Sequence, residues 1–368
     1  MAKSTGSKKT TITPKSYEFL RNYINNASPV GFETWGQKLW LEYLKPYVDN
    51  FYIDPYGTAV GIINEKNPFK VVIEAHADEI SWFVNYINPE GLIYLKRNGG
   101  VDHQTAPASR VFIHGKKGPV NAVFGWPAIH TRSGADSKET HPKTDNLWLD
   151  CGARNRKDVA ALGIHIGAVV TYQDGFDELA NGNLVGRAFD NRIGGYMIAE
   201  VARLLKENKK KLPFGLYVVN AVQEEIGLRG AEMIARRIKP NIAIVTDVTH
   251  DTSTPMINKN VEGDVVCGKG PSLSYAPAVH NKLLGIVEKV AGDNKIPVQW
   301  RALSRSTGTD TDSFAYANDG CPSVLISIPL RYMHTTVEIL HRDDIDNTIR
   351  LMYETLLTLT PKTNLNYL

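Results

Sequence analysis

Three short runs constrain this chain more than anything else in it: Val71 to Ala75, Leu216 to Val222 and Ile242 to Val245. Each is nearly all apolar and is bounded by polar residues. Runs of that length and composition suit strands buried on both faces, as in parallel sheets. Helical spacing follows them. Ile193, Met197, Val201, Leu204 and Leu205 mark one apolar helix face, and Ala231, Ile234, Ala235 and Ile238 mark another. His280 to Ala291 reads as a helix, Val298 to Leu303 and Ser323 to Ile328 as strands, and Ile345 to Leu359 as a last helix. At the other end, Tyr17 to Tyr47 reads as helix broken by the turn Ser28-Pro29-Val30-Gly31. A hairpin over Asn50 to Ile53 and Ala59 to Ile63 follows it. The expected fold class is α/β, with a mostly parallel central sheet flanked by helices.

The pattern changes between His76 and Gln173. Short β-rich runs (Trp82 to Ile87, Leu92 to Lys96, Val111 to His114, Val120 to Phe124, Ala168 to Tyr172) alternate with Gly and Pro turns. The only helix pattern is Lys157 to Leu162, and Thr131 to Asn146 reads as a long loop. This predicts a small β-barrel-like domain inserted into the larger one. The expected organisation is a disordered tail over 1–15, a catalytic domain over 16–76 and 174–368, and an inserted β-rich dimerisation or oligomerisation domain over 77–173. A length of 368 residues accommodates two such bodies.

Composition narrows the function classes. A net charge of +3 gives no footprint for nucleic acid or a membrane surface. Cys151, Cys267 and Cys321 are far apart and form no C-x-x-C pair, so neither a disulfide framework nor a cysteine zinc site is expected. The Lys-, Ser- and Thr-rich start lacks the apolar core of a secretory signal, and no apolar run approaches a membrane span. These features point to a cytoplasmic protein.

Ligands bind beyond the carboxyl ends of strands in open α/β sheets. His76 and Asp78 follow the first apolar run, and Asp190 follows Leu184 to Phe189. Glu224 and Glu225 follow Leu216 to Val222, Asp247 follows Ile242 to Thr246, and Arg331 to His334 follow Ser323 to Ile328. Two histidines and several carboxylates on one rim are what a pair of divalent metals needs. Zinc, cobalt and manganese all accept such ligands. Adjacent Glu224 and Glu225 repel, so a metal can compensate one while the other acts as general base; a solvated acidic pair at a helix N-terminus is the plainer alternative. A free substrate amine needs a negative partner, for which Asp310 is a candidate. His250, just after Asp247, is placed to line the pocket. A carboxypeptidase or deacylase would instead use Arg331 or Arg192 for the substrate carboxylate. A glycosidase would need carboxylates but no metal. The remaining histidines and Gly268-Lys269-Gly270-Pro271 carry no comparable context.

Five segments carry a family resemblance: Ala75-His76-Ala77-Asp78-Glu79-Ile80, Ala188 to Gly194, Val222 to Ala231, Thr246-Asp247-Val248-Thr249 and Pro329 to His334. From Ser16 to about Leu359 the chain resembles the M42 metallo-aminopeptidases, including the tetrahedral (TET) and glutamyl aminopeptidase-like enzymes. The resemblance implies two divalent metals, zinc or cobalt, with manganese open. Asp190 would bridge them, His76 and Asp247 would complete one site, and Glu225 and His334 the other. Glu224 would be the base toward a water between the metals, and Asp78 would orient His76. It also implies short peptides as substrate and a homododecamer. Ser81, Thr307 to Thr311 and Thr335 depart from the family's usual residues, which bears on specificity and not on ligands.

Overall fold

The apolar runs become the centre of an eight-stranded sheet. Its order is Asn50–Ile53, Ala59–Ile63, Gly215–Ala221, Lys70–His76, Ile242–His250, Ser323–Leu330, Ser272–Tyr275 and Gln299–Ala302. The strands from Gly215–Ala221 through Ser323–Leu330 pair in parallel. The first two strands are antiparallel, and so is the contact of Ser272–Tyr275 with Ser323–Leu330. The chain is seen here in a computed structural model that describes residues 10–132 and 141–368. Val71, Val72 and Ile73 are fully buried because helices cover both faces, so every side chain of that strand meets protein.

The helix Phe189–Glu207 lies directly on the sheet and is buried almost throughout its length. Within it, Glu200 is fully buried, accepts a hydrogen bond from the Tyr43 hydroxyl, and accepts from Arg203 Nε and Nη2 at 3.0 and 2.7 Å. Arg203 also donates to the Thr11 carbonyl at 2.7 Å. That contact ties the start of the described chain to the core.

Ser81–Ile87, Ile93–Asn98, Arg110–Gly115, Gly118–Gly125, Trp148–Asp150 and Val169–Tyr172 close into a six-stranded barrel. It has its own core, built on Trp82, Val111, Ile113, Phe124 and Leu149. Trp148–Asp150, just beyond the expected loop, is a strand absent from the expected β-rich runs, and residues 133–140 of that loop lie outside the described ones. A third sheet joins Asp177–Glu178, Asn183–Gly186 and Glu338–His341.

Two expectations need correction. The tail over 1–15 falls mostly on residues 1–9, which lie outside the described residues. From Thr10 onward the chain is instead packed. Thr11 N–H donates to Asp346 at 2.6 Å, and Thr13 and Ser16 form a capping box for a helix starting at Pro14. The run Leu184 to Phe189 is not one strand. It splits into a strand ending at Gly186 and a helix beginning at Phe189, so Asp190 heads a helix and does not end a strand of the main sheet.

Replacing Glu200 by Ala removes the buried partner of Arg203 and leaves its guanidinium only the half-exposed Glu207, at 2.6 Å, and the Thr11 carbonyl. The expected cost is about 3–5 kcal/mol, read as a lower urea midpoint than that of the parent chain.

Candidate active site

Three parallel strands bring their carboxyl ends to one rim. Lys70–His76 delivers His76, the turn after Gly215–Ala221 delivers Glu224 and Glu225, and Ile242–His250 carries Asp247 near its end. His334 comes from the segment after Ser323–Leu330 and Asp190 from its helix N-terminus. Asp190 sits at the centre. Its Oδ1 lies 3.2 Å from His76 Nε2 and its Oδ2 lies 3.2 Å from His334 Nε2. Glu225 Oε1 is 3.4 Å from His334 Nε2. Asp247 Oδ1 and Glu224 Oε2 are 3.9 and 3.8 Å from His76 Nε2. One ligand atom from each of His76, Asp190 and Glu225 lies within 4.8 Å of the others.

Asp78 does more than sit behind His76. Its two oxygens accept the N–H groups of Glu224 and Glu225 at 3.0 and 3.1 Å. His76 Nδ1 lies 3.2 Å from the Asp78 carbonyl and 3.6 Å from its carboxylate. The turn that presents both glutamates is thereby anchored to the histidine's own strand. The barrel also reaches the site. His334 Nδ1 lies 3.1 Å from the carbonyl of Gly100, just beyond the strand Ile93–Asn98.

The electrostatics show a cluster short of positive charge. Burial, reinforced by Asp247, Asp310 and Glu225 against the opposing pull of His76, pushes Glu224 up to about 10. Burial also raises Glu225 and Asp247. For His334 burial works downward, but contacts with Asp190 and Glu225 outweigh it and carry the imidazole to about 12. His76 is raised the same way, against burial, by Glu224, Asp190 and Asp78. Asp190, between two imidazoles, is lowered despite burial. Glu225 Oε1 is buried without a hydrogen-bond partner. Orphaned carboxylate oxygen and imidazole nitrogen facing one space are donors for divalent cations, and the residues present fit such ions.

A cavity of about 660 Å³ runs from these groups past His250, Ser274, Arg301, Thr307 and Asp312. His250 thus lines it as expected, its imidazole lowered by burial and by neighbouring Arg301. Asp310 does not. It is 1% exposed and lies against Glu74 behind the wall, where burial and Glu74 raise its carboxyl. Arg331 is spent on Asp251 at 2.9 Å and is not among the lining residues. Arg192 is fully buried and donates to the Asn26 carbonyl. Sequence reasoning missed Arg301, Gly100 and Glu338. Glu338, inside the otherwise apolar run Val337 to Leu340, was the one with a visible signal.

Such a rim on such a sheet fits a hydrolase, and comparison with known proteins makes it one that acts on peptide bonds. The M42 glutamyl aminopeptidase family matches residues 57–351. A lysyl aminopeptidase of Pyrococcus furiosus is 32% identical over 94% of this chain and 98% of its own. A glutamyl aminopeptidase of Lactococcus lactis is 28% identical over 76% and 78%. The crystal structure of a TET aminopeptidase from the marine sediment archaeon Thaumarchaeota archaeon SCGC AB-539-E09 superposes with a TM-score of 0.90, at 30% identity, covering 94% and 97%. The chain belongs to the M42 family and is an aminopeptidase, and that membership implies use of divalent metal.

A Cβ added at Gly100 would stand 2.7 Å from the His334 ring. Gly100→Ala therefore displaces the imidazole, and we expect roughly a 100-fold loss of aminopeptidase turnover with the melting temperature nearly retained.

Proposed function

We propose that the chain is a dinuclear metal-dependent aminopeptidase that releases single residues from the N-termini of short peptides. The observation that carries this reading is Asp190, whose two oxygens each face a different histidine. His76 and Asp247 would hold one cation, Glu225 and His334 the other, and Asp190 both. Bound there, the two cations supply Lewis-acid polarisation of the scissile carbonyl and lower the pKa of an attacking water.

The chain's own groups do the rest. Beside bound cations, which would offset the burial and neighbouring carboxylates that raise it, Glu224 would be ionised; it would then take the proton of the attacking water and pass it to the leaving amine. Asp78 keeps Glu224 in place through the backbone. With Asp310 behind the wall, the substrate's free α-amino group is left to the rim carboxylates that also hold the cations. Three free cysteines suit a reducing compartment, which supports a cytoplasmic location. No helix among the described residues is long and apolar enough to cross a membrane. The TET resemblance supports a homododecamer in which the barrel contributes subunit contacts.

The far end of the cavity bears on the substrate side chain. Asp312 is tied to its own loop: its two oxygens share the Thr307 N–H, at 3.1 and 3.0 Å, and Oδ2 also accepts the Gly308 N–H at 3.3 Å. Arg301 donates to Thr249 and, at 2.9 Å, to Glu262, which leaves part of its five-donor fork free. We read this wall as favouring an acidic N-terminal residue over a basic one.

The testing experiment is hydrolysis of free and N-acetylated aminoacyl chromogenic substrates with and without chelator. Only free-amine substrates should be cleaved, activity should vanish with chelator, and zinc or cobalt should restore it. Glu224→Gln should keep its metal and lose about 100-fold or more in kcat. Cleavage of acetylated substrates, or full activity in chelator, would point to a deacylase or a metal-free hydrolase. On the same panel, Arg301→Met should lower the ratio of glutamyl to lysyl hydrolysis at least about tenfold. An unchanged ratio would remove Arg301 from substrate selection.

A further inference from the structure

Glu338 is 2% exposed and is not among the residues lining the cavity of about 660 Å³; it lies in a small recess behind it with Asp190, Glu225 and His334. Both of its side-chain oxygens are hydrogen-bonded. Oε2 accepts the backbone N–H of Asp190 at 3.0 Å, and Oε1 accepts the backbone N–H of His334 at 2.9 Å. These two N–H groups belong to two of the residues assigned above as ligands, one of them the residue shared by both cations.

Both segments need such an anchor. Asp190 lies in the first turn of its helix, where backbone donors have no intrahelical acceptor. The residue capping that helix, Ala188, is left-handed at φ +59°. His334 is itself left-handed at φ +62°, as is Tyr332 at φ +59°. Non-glycine residues hold such conformations only where the surroundings over-determine them. The small sheet sets the position of Glu338 for this purpose. Glu338 pairs with Gly186, four residues before Asp190, and Ile339 bridges to Arg331, three residues before His334. The two N–H groups approach different oxygens of one side chain, and a carboxylate offers two acceptor oxygens on one planar head. Placing a further buried carboxylate next to Asp190 is unfavourable unless cations stand beside it.

We infer that Glu338 is a positioning residue for the metal pair, a clamp that joins the Asp190 and His334 segments through their backbones and so sets where two ligand side chains stand. The inference rests on the dinuclear reading above. Glu338 touches no cation or substrate; it acts through the ligands. Loss of such outer support commonly weakens metal binding by about 10- to 100-fold.

The test uses full-length protein stripped by chelator and titrated with Co²⁺ or Zn²⁺ against a chromophoric competitor, with hydrogen exchange followed by mass spectrometry on the stripped form. In Glu338→Gln at least one of the two cations should bind about tenfold or more weakly. Exchange should accelerate in peptides carrying Asp190 and His334, while the Lys70–His76 strand keeps its protection. Should that strand lose protection in Glu338→Gln, Glu338→Asp is judged by the same criteria, because it keeps the charge but is one methylene too short to reach both N–H groups. Wild-type affinities at both sites, or weakened binding with no change in exchange at Asp190 and His334, would overturn the clamp. The parent protein separates the two levels. If it takes up no cation, the dinuclear reading falls and the clamp with it; if it takes up two and the variant matches it, the clamp alone falls.

Discussion

Four carboxylates, from Asp190, Glu224, Glu225 and Asp247, share one buried space with the imidazoles of His76 and His334. Like charges held that close out of water repel strongly, and a folded chain sustains them only with compensation. In this protein the compensation comes partly from the imidazoles and partly from the Val248 amide, which donates to Asp247 at 2.7 Å. Asp78 and Glu338 add two further buried carboxylates, and each of these is answered by two backbone amides of its own. What remains unbalanced, including the orphaned Glu225 Oε1, is directed inward at the space the proposed cations would take.

That balance explains why the site is assembled from several bodies of structure. The main sheet supplies His76 and Asp247 on rigid parallel strands. The small sheet brings Glu338 under the Asp190 and His334 segments. The barrel supplies Gly100, whose missing side chain lets the His334 ring lie against its backbone. A buried ion pair between Glu79 and Arg187, with Asn98 donating to the Val30 carbonyl at 2.9 Å, fastens the barrel's edge to the catalytic domain close to these contacts. Moving the barrel would therefore move the His334 imidazole.

Much of this was legible in the residues. Val71 to Ala75 and Ile242 to Val245 read as buried strands because apolar residues on both faces leave few other solutions. His76, Glu224, Glu225, Asp247 and His334 were legible because each follows such a run. Asp190 was legible as a candidate but not in its setting, since Leu184 to Phe189 has the composition of one strand and is divided by a left-handed residue at Ala188. Arg331 and Asp310 were expected at the substrate and are elsewhere, while Arg301 lines the cavity. Each follows or lies in a strand-like or loop segment, and nothing local distinguishes which cation or carboxylate faces inward.

The sequence by itself determined the central strands and main helices, the chemistry of the candidate ligand set and the family, because hydrophobic period, residue type and motif spacing are local properties. Only the tertiary structure decided that Asp190 turns one oxygen to each histidine, that Asp78 and Glu338 act through backbone amides, and that Gly100 completes the setting of His334. Those relations join segments far apart in the chain. They depend on strand order and register, which are set by which buried faces find each other and not by any one segment's own preference.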